Sequence, residues 1–301
     1  MKEVLASPLF REISLLPEKR RETVLKEQGI EDFFTIHFFK KESHSQLKYR
    51  NALLLETAYE IMEVLKKGNV NFCFIKGIVF LESLYPSLED RFLSDIDILV
   101  SEDQFEEVIS LVKHNFPEAD VSRGSWVGDA HKVEVQISNE YNLEITVEFH
   151  SKLFWHTDFW GTSEVVKDKG LYRPKDEDHF VYLIYHYAFQ HNCQKLYWLL
   201  DILYFYQENK DQLDWGYINK KIKEIKIVRS SLFVKKILCR EFGINMSQLN
   251  GQTWIPFYRK YLLEANQRSL YYLFLKFFLK DKIFKQGLFY SIKWLKYYRK
   301  E

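Results

Sequence analysis

Residues 92–100, which read Phe-Leu-Ser-Asp-Ile-Asp-Ile-Leu-Val, place two aspartates one residue apart in an otherwise mostly apolar run. Successive side chains of a β-strand point to opposite faces, so a strand here puts Asp95 and Asp97 on one face and the branched apolar residues on the other. Two neighbouring carboxylates repel each other unless a cation lies between them, and Mg²⁺ prefers such oxygen ligands. The same spacing also occurs on surface strands with two solvated acids, so its meaning depends on the surrounding sequence.

The sequence before this run predicts a strand, a tight turn and a helix. Residues 71–75 form a short apolar run, Lys76-Gly77 follows at once, and residues 78–85 show helical spacing of apolar side chains up to Pro86. A glycine between a strand and a helix allows a phosphate to approach the backbone N–H groups at the helix start, and Lys76 adds a positive charge beside it. The alternative is an ordinary turn with a solvated lysine.

A third carboxylate comes from residues 142–150, which alternate polar and apolar residues and so predict a further strand. One face of this strand carries Glu144, Thr146, Glu148 and His150. If the strand lies beside the one that carries the two aspartates, Glu148 joins the same site. Glu144 is the alternative third carboxylate, and the sequence leaves the choice open.

Six segments of the chain carry motifs that occur together: residues 75–77, 84–86, 91–100, 147–150, 178–186 and 198–202. Together they resemble the uncharacterised bacterial nucleotidyltransferase family of the DNA polymerase beta-like superfamily. The resemblance covers roughly residues 50 to 240, and its most specific part is the segment from Arg91 to Val100. In the wider superfamily the turn before the helix is usually Gly-Gly or Gly-Ser, whereas here it is Lys76-Gly77.

This resemblance implies an enzyme that moves a nucleoside monophosphate from an NTP, ATP among them, to an acceptor hydroxyl with release of pyrophosphate. Asp95, Asp97 and Glu148 are then the catalytic carboxylates and hold Mg²⁺, or Mn²⁺ in its place. Asp95 and Asp97 hold the metal that carries the triphosphate, and together with Glu148 they hold a second metal that lowers the pKa of the attacking hydroxyl. Metal and a positioned cation stabilise the charge that develops on the phosphoryl oxygens. The implied nucleotide-binding residues are Lys76, Gly77, Arg91 and Ser94. The acceptor stays open: a small molecule, a protein or an RNA.

Two other classes of function remain open. One is a nucleotide- or partner-binding module of the same fold without turnover, although the presence of all three carboxylates argues mildly against it. The other is a regulator of the toxin–antitoxin type that acts on a partner protein. A fold resemblance supports the transferase class by analogy only, because function depends on the site.

The predicted fold class is α+β, with a small mixed β-sheet as the nucleotidyltransferase core. Residues 1–67 are predicted to be N-terminal helices that pack on the core, among them an amphipathic helix over 49–66. Residues 68–165 form the core, which includes a hairpin over 122–138. Residues 172–301 form a mainly helical C-terminal domain.

The composition is that of a globular protein: apolar residues make up 47% of the 301 residues, and the net charge is +1. Three widely spaced cysteines with no C-x-x-C pattern indicate a reducing, cytoplasmic location. The N-terminus lacks the apolar run of a signal peptide, and no uncharged stretch is long enough to span a membrane.

The helical half offers further polar residues. Together with His150, His186 and Asp201 are possible substrate contacts, but a buried histidine hydrogen-bonded to a buried aspartate is the more ordinary explanation. His191 follows His186 by five residues, one more than the helical step expected for a shared site.

Residues 276–301 carry eight Lys or Arg and two acids between aromatic residues. They predict an amphipathic terminal helix, with binding to an anionic surface as the alternative.

Overall fold

The computed structural model describes residues 2–39, 45–123, 132–138, 143–154, 165–168, 170–251, 253, 258–264, 274–275 and 277–281. The helices are α1 Lys2–Leu5, α2 Pro8–Leu15, α3 Glu18–Gln28, α4 Glu31–His37, α5 Ser45–Lys67, α6 Gly77–Ser83, α7 Phe105–Asn115, α8 Asp176–Ile184, α9 Leu196–Asn209, α10 Trp215–Glu224, α11 Val228–Phe242 and α12 Tyr258–Glu264. The strands are β1 Phe72–Ile75, β2 Asp95–Val100, β3 Asp120–Arg123, β4 Lys132–Ser138, β5 Glu144–His150, β6 Val165–Asp168 and β7 Leu171–Pro174. The fold is therefore α+β, as predicted.

The chain divides into two compact units. Residues 40–179 form one, called here the sheet unit, and residues 1–39 with 180–301 form the other, called here the helical unit. Helix α5 thus belongs with the sheet, whereas the first 39 residues belong with the helices of the second half. The division into domains at residues 67, 165 and 172 stays a prediction.

The sheet unit is built on a five-stranded mixed sheet in the order β1-β2-β5-β4-β3. Strands β2 and β5 pair in parallel, and all the other neighbours are antiparallel. The polar–apolar alternation of β4 and β5 appears as alternating burial, because one face packs on the core. The strands predicted for residues 71–75, 92–100 and 142–150 are confirmed as β1, β2 and β5.

Helix α5 packs against α6, α7 and β2. Its apolar residues recur at helical spacing, and Leu54, Ala58, Ile61 and Leu65 are fully buried. The amphipathic helix predicted over 49–66 is confirmed and is longer by four residues at its start. Because α5 covers the sheet, Arg50 and Asn51 near its N-terminus reach the segment that leads into β2.

The helical unit is held together by buried polar contacts as well as apolar packing. The Gln28 side chain donates to the backbone oxygen of Leu262 and accepts from the backbone N–H of Leu196, both at 2.9 Å. The Asp281 carboxylate accepts from the first two backbone N–H groups of α11, at 2.7 and 2.9 Å, and so satisfies donors that have no partner within the helix.

Some predictions fall partly on residues outside the described ranges. The hairpin over 122–138 is confirmed by the antiparallel pairing of β3 with β4, and the turn candidate that the sequence offers, Gly128-Asp129, lies outside the described residues. Most of the basic segment 276–301 does too, since only 277–281 are described there. Among the described helices, none is both long enough and apolar enough to cross a membrane.

Candidate active site

The pairing of β2 with β5 brings two distant carboxylates together. In the register of these parallel strands Asp97 lies opposite Glu148, and the next pair is Ile98 with Phe149. On the other side of β2, Asp97 lies opposite Ile75, the last residue of β1. Asp97 therefore sits between the end of β1, where the Lys76-Gly77 turn begins, and the end of β5. The structure places the alternative residue, Glu144, at the exposed start of β5 opposite Ser138.

Three side chains converge at this point: Asp97, Glu148 and His150. The His150 Nε2 atom lies 2.9 Å from Asp97 Oδ1 and 3.4 Å from Glu148 Oε2. One possible ligand atom from each residue lies within 4.8 Å of the other two, which makes this group suitable for a metal ion. The side chains are only 3%, 13% and 9% exposed, so a charge in the group is poorly screened by water.

Two lysines neutralise the carboxylates of this cluster. Lys76 Nζ lies 2.5 Å from Asp97 Oδ1, the same oxygen that faces His150. Lys132, on β4, donates to Glu148 Oε1. The sequence alone does not indicate this role of Lys132. Lys132 lies directly opposite His150 in the pairing of β4 with β5, a relation that only the strand register reveals.

The backbone of Lys76 adopts a conformation that is unusual for a residue with a side chain. Its φ is 60° and its ψ is −142°, outside the left-handed helical region that Asn and Asp tolerate. Such backbone strain costs on the order of 1–3 kcal/mol and tends to occur at functional sites. The strained turn places the lysine between the buried end of β1 and the first residue of α6, with its ammonium on Asp97.

Glu148 and His150 stabilise each other's charged forms. Burial would raise the pKa of Glu148, but the hydrogen bond from His150 and the charges of Lys76 and Lys132 outweigh it and hold that pKa far below its usual range. Burial would lower the pKa of His150, but its hydrogen bonds to Asp97 and Glu148 raise it above the usual value. The cluster is thus a compact arrangement of alternating charges.

Asp95 lies at the edge of this cluster and differs from Asp97 in its partners. Its Oδ1 accepts a hydrogen bond from Ser94 Oγ at 2.7 Å. Burial, followed by the negative charge of Asp97, raises the pKa of Asp95 from 3.8 to about 6. The carboxyl is therefore protonated more readily than an ordinary aspartate, and a bound cation would offset the repulsion.

We expect Asp95→Asn to stabilise the metal-free protein at neutral pH. A carboxyl with a raised pKa in the folded state contributes stability below its unfolded pKa, and this contribution is lost as the pH rises through about 6. Asparagine resembles the protonated form and avoids that loss. The gain in free energy of unfolding should be near zero at pH 4 and reach about 1–3 kcal/mol by pH 7.5. Urea denaturation in the presence of a chelator measures it, and a gain independent of pH would contradict this explanation.

Arg91 and Gly77 pack against each other. A Cβ atom at Gly77 would lie 2.2 Å from Arg91 Cζ, so the absence of a side chain at Gly77 makes room for the guanidinium. Arg91 is 3% exposed, and its Nη1 donates to the backbone oxygen of Phe92 at 2.6 Å. Asn51 Nδ2 donates to the backbone oxygen of Arg91 at 2.8 Å. Arg91 thus places a buried positive charge next to Gly77 of the turn. Its direct contact with a nucleotide, and those of Gly77 and Ser94, stay predictions.

The segment before β2 is fixed from α5. Arg50 donates through Nη2 to the backbone oxygen of Ser94 at 3.1 Å and through Nη1 to that of Leu93. Its guanidinium carbon also lies 5.9 Å from the centre of the Phe92 ring. The sequence gives no sign of this role of Arg50, because a lone arginine on an amphipathic helix is an ordinary solvated residue.

His186 and Asp201 belong to the helical unit, and both are buried. His186 lies in a π-helical segment, Tyr185–Gln190, where the backbone N–H of His191 bonds to the oxygen of His186, five residues back. The wider turn places the ring centres of His186 and His191 4.5 Å apart, and the centre of the Trp198 ring lies 4.6 Å from that of His186. The five-residue spacing is longer than the α-helical step expected for a shared site, but the π-helical turn nevertheless brings the two rings together.

Comparison with family models confirms the nucleotidyltransferase family. The chain belongs to a family described as uncharacterised nucleotidyltransferase, whose family model matches residues 25–242. Among solved structures it is similar to that of an antigenic nucleotidyltransferase-like protein from Paracoccidioides brasiliensis, with 15% sequence identity and a TM-score of 0.37, over 52% of this chain and 76% of that one. No curated protein matches the chain.

Proposed function

We propose that this chain is a metal-dependent nucleotidyltransferase that transfers a nucleoside monophosphate from an NTP to a hydroxyl group. The acceptor hydroxyl releases its proton to the surrounding water and its oxygen forms a bond to the α-phosphorus, while the bond from that phosphorus to the bridging oxygen breaks and pyrophosphate leaves. The observation that carries this proposal is the convergence of Asp97 and Glu148 on neighbouring strands, with Asp95 two residues from Asp97, in a member of a nucleotidyltransferase family.

The chemistry of the donor groups fits a divalent cation. Two carboxylates and an imidazole lie within 4.8 Å of one another, and a lysine ammonium already rests on one of those carboxylates, so a positive charge is stabilised there. Asp95, Asp97 and Glu148 would hold Mg²⁺, or Mn²⁺ in its place. A divalent ion bound there would neutralise the charge of the triphosphate and lower the pKa of the acceptor hydroxyl.

The remaining roles fall to the chain's own residues. Lys76 reaches Asp97 from the strained turn, and its ammonium would transfer from that carboxylate to the triphosphate when the nucleotide binds. Arg91 holds a buried positive charge against the same turn, which favours phosphate nearby. The central strands fix Asp97 and Glu148, so little reorganisation is needed when the phosphoryl charge develops.

The superfamily, the source organism's class and the cellular location are also part of this proposal. The resemblance of the segment around Asp95 and Asp97 supports placement in the DNA polymerase beta-like superfamily and a bacterial source. The spacing of the cysteines supports a cytoplasmic location. The proposed acceptor is a hydroxyl group of a small molecule, a protein or an RNA.

The test uses NTPs labelled at the α- or the γ-phosphate, incubated with the protein, Mg²⁺ and fractionated cell extract as the source of acceptor. We expect label to reach an acceptor from the α position only, since nucleotidyl transfer retains that phosphate and releases the other two. Transfer of the γ label would indicate phosphoryl transfer instead and would contradict the proposal.

Glu148→Gln and Glu144→Gln form a matched pair for this test, because both glutamates lie on the same strand but only Glu148 lies in the cluster. We expect Glu148→Gln to lower the transfer rate on the order of 10²–10³-fold, as for the loss of an electrostatic group at a reacting centre. Glu144→Gln should leave the rate within about twofold of wild type. The opposite order would make Glu144 the third carboxylate. If the wild-type protein binds no NTP by titration calorimetry with Mg²⁺ present and transfers no label, the protein is a non-catalytic module and the proposed enzyme is wrong.

A further inference from the structure

We infer that His150 binds the metal ion directly through Nε2, together with Asp97 and Glu148, and that this site prefers a first-row transition ion over Mg²⁺. The inference deepens the proposed function and rests on it for the presence of a metal. It adds a nitrogen ligand and a metal preference that a site made of carboxylates alone would not have.

The separations of the donor atoms match those of ligands that share one ion. Two ligands about 2.0–2.2 Å from the same ion, at angles between those of octahedral and tetrahedral geometry, lie about 3–3.5 Å apart. His150 Nε2 lies 2.9 Å from Asp97 Oδ1 and 3.4 Å from Glu148 Oε2. An ion that replaced the proton between the imidazole and the carboxylates would require only small shifts of the three side chains.

The position of His150 on its strand holds the ring in place. Glu148 and His150 are two residues apart on β5, so they share the face that borders Asp97. β5 is the middle strand of the sheet, and His150 pairs with Leu99 on one side and with Lys132 on the other. The His150 side chain is 9% exposed, which limits the rotamers it can adopt. Its Nε2 atom faces both carboxylates at once.

The nitrogen donor decides the metal preference. Mg²⁺ binds oxygen ligands and keeps several waters, whereas imidazole is a common ligand of transition ions. Where an imidazole joins the carboxylates of the site, Mg²⁺ gains little from the nitrogen ligand, whereas Mn²⁺, Fe²⁺ or Co²⁺ binds more tightly because of it. We therefore expect Mn²⁺ to bind about tenfold more tightly than Mg²⁺ in the absence of nucleotide.

The ammonium groups of Lys76 and Lys132 affect the affinity of the site for a metal. Lys76 shares Asp97 Oδ1 with His150, so its ammonium and the metal compete for this carboxylate. Lys132 contacts the other oxygen of Glu148, Oε1, and leaves Oε2 facing His150. A nucleotide that attracts Lys76 would relieve the competition, so Mn²⁺ and an NTP should each raise the other's affinity.

The experiment is pulsed EPR of Mn²⁺ bound to the full chain without nucleotide, with affinities from titration and from competition by Mg²⁺. We expect a ¹⁴N coupling from one imidazole, which becomes a ¹⁵N coupling when the protein is made with ¹⁵N-labelled histidine. His150→Gln should abolish the nitrogen coupling and reduce the preference for Mn²⁺ to within about twofold of Mg²⁺. His114→Gln, an exposed change on α7, should alter neither.

Three results would overturn the inference: Mn²⁺ that binds without nitrogen coupling in wild type, coupling retained in His150→Gln, or no binding of Mn²⁺. If His150→Gln fails to fold, the ¹⁵N spectrum and the competition on wild type still decide the matter. These outcomes are separate from the proposed function. Nitrogen-coupled Mn²⁺ without α-label transfer would contradict the function alone, and transfer supported by Mg²⁺ in a protein without nitrogen coupling would contradict this inference alone.

Discussion

Asp97→Asn is expected to lower the rate of nucleotidyl transfer by at least about 10³-fold, or about 4 kcal/mol in transition-state stabilisation. Asp97 occupies the centre of the cluster, between the end of β1 and Glu148 of β5. Its Oδ1 atom faces both Lys76 and His150. An amide at this position removes the charge that every proposed role of the site requires: binding of the metal, orientation of His150 and positioning of Lys76.

The same substitution should also destabilise the protein, in contrast with Asp95→Asn. Removing one partner of a buried ion pair leaves the other charge without compensation, at a cost of about 3–5 kcal/mol in fully buried pairs. The Lys76 side chain is 12% exposed and can turn toward water, so we expect about 2–3 kcal/mol from denaturation in urea. Two aspartates on one strand therefore give opposite changes in stability, because Asp97 has cationic partners and Asp95 has a raised pKa.

Asp120→Asn is the control for this prediction, since Asp120 is an exposed aspartate on β3 of the same sheet. It should change neither the transfer rate nor the stability by a measurable amount. The mechanism is wrong if Asp97→Asn folds, binds NTP and metal as wild type does, and transfers label at more than about a tenth of the wild-type rate.

Lys76→Met and Lys76→Gly are expected to lower transfer equally, on the order of 10²-fold, with a higher KM for the NTP. Both variants remove the ammonium that rests on Asp97, but they differ in the backbone. Methionine retains a side chain at φ 60° and ψ −142°, whereas glycine adopts this conformation freely. Equal losses of activity would show that the charge of Lys76, and not the shape of the turn, supports the reaction.

The two Lys76 variants should differ in stability. Relief of backbone strain favours the glycine variant by on the order of 1–3 kcal/mol, and the greater freedom of glycine in the unfolded chain offsets part of that gain. We therefore expect Lys76→Gly to be more stable than Lys76→Met by about 1 kcal/mol in denaturant titrations. Lys67→Met, an exposed change at the end of α5, should behave as wild type. A normal KM in Lys76→Met would exclude a contact between Lys76 and the triphosphate.

Local sequence predicted the elements that carry the site. Alternating or continuous apolar runs indicated β1, β2 and β5, and helical spacing indicated α5 and α6. These patterns are local because the period of a strand or helix is set by the backbone itself. The proposed role of Glu148 also began from alternation, but the parallel pairing that places it opposite Asp97 joins segments about fifty residues apart in the chain.

The sequence by itself determined which residues share a strand face and where the charged groups fall along the chain. The tertiary structure alone decided which groups meet: Lys76 and His150 at one oxygen of Asp97, Lys132 at Glu148, and Arg91 against Gly77. It also decided that Asp95 and Asp97 have different environments, although their sequence contexts are nearly the same. The physical reason is that hydrogen bonds and desolvation depend on distance in space, which is set by strand register and packing and not by spacing along the chain.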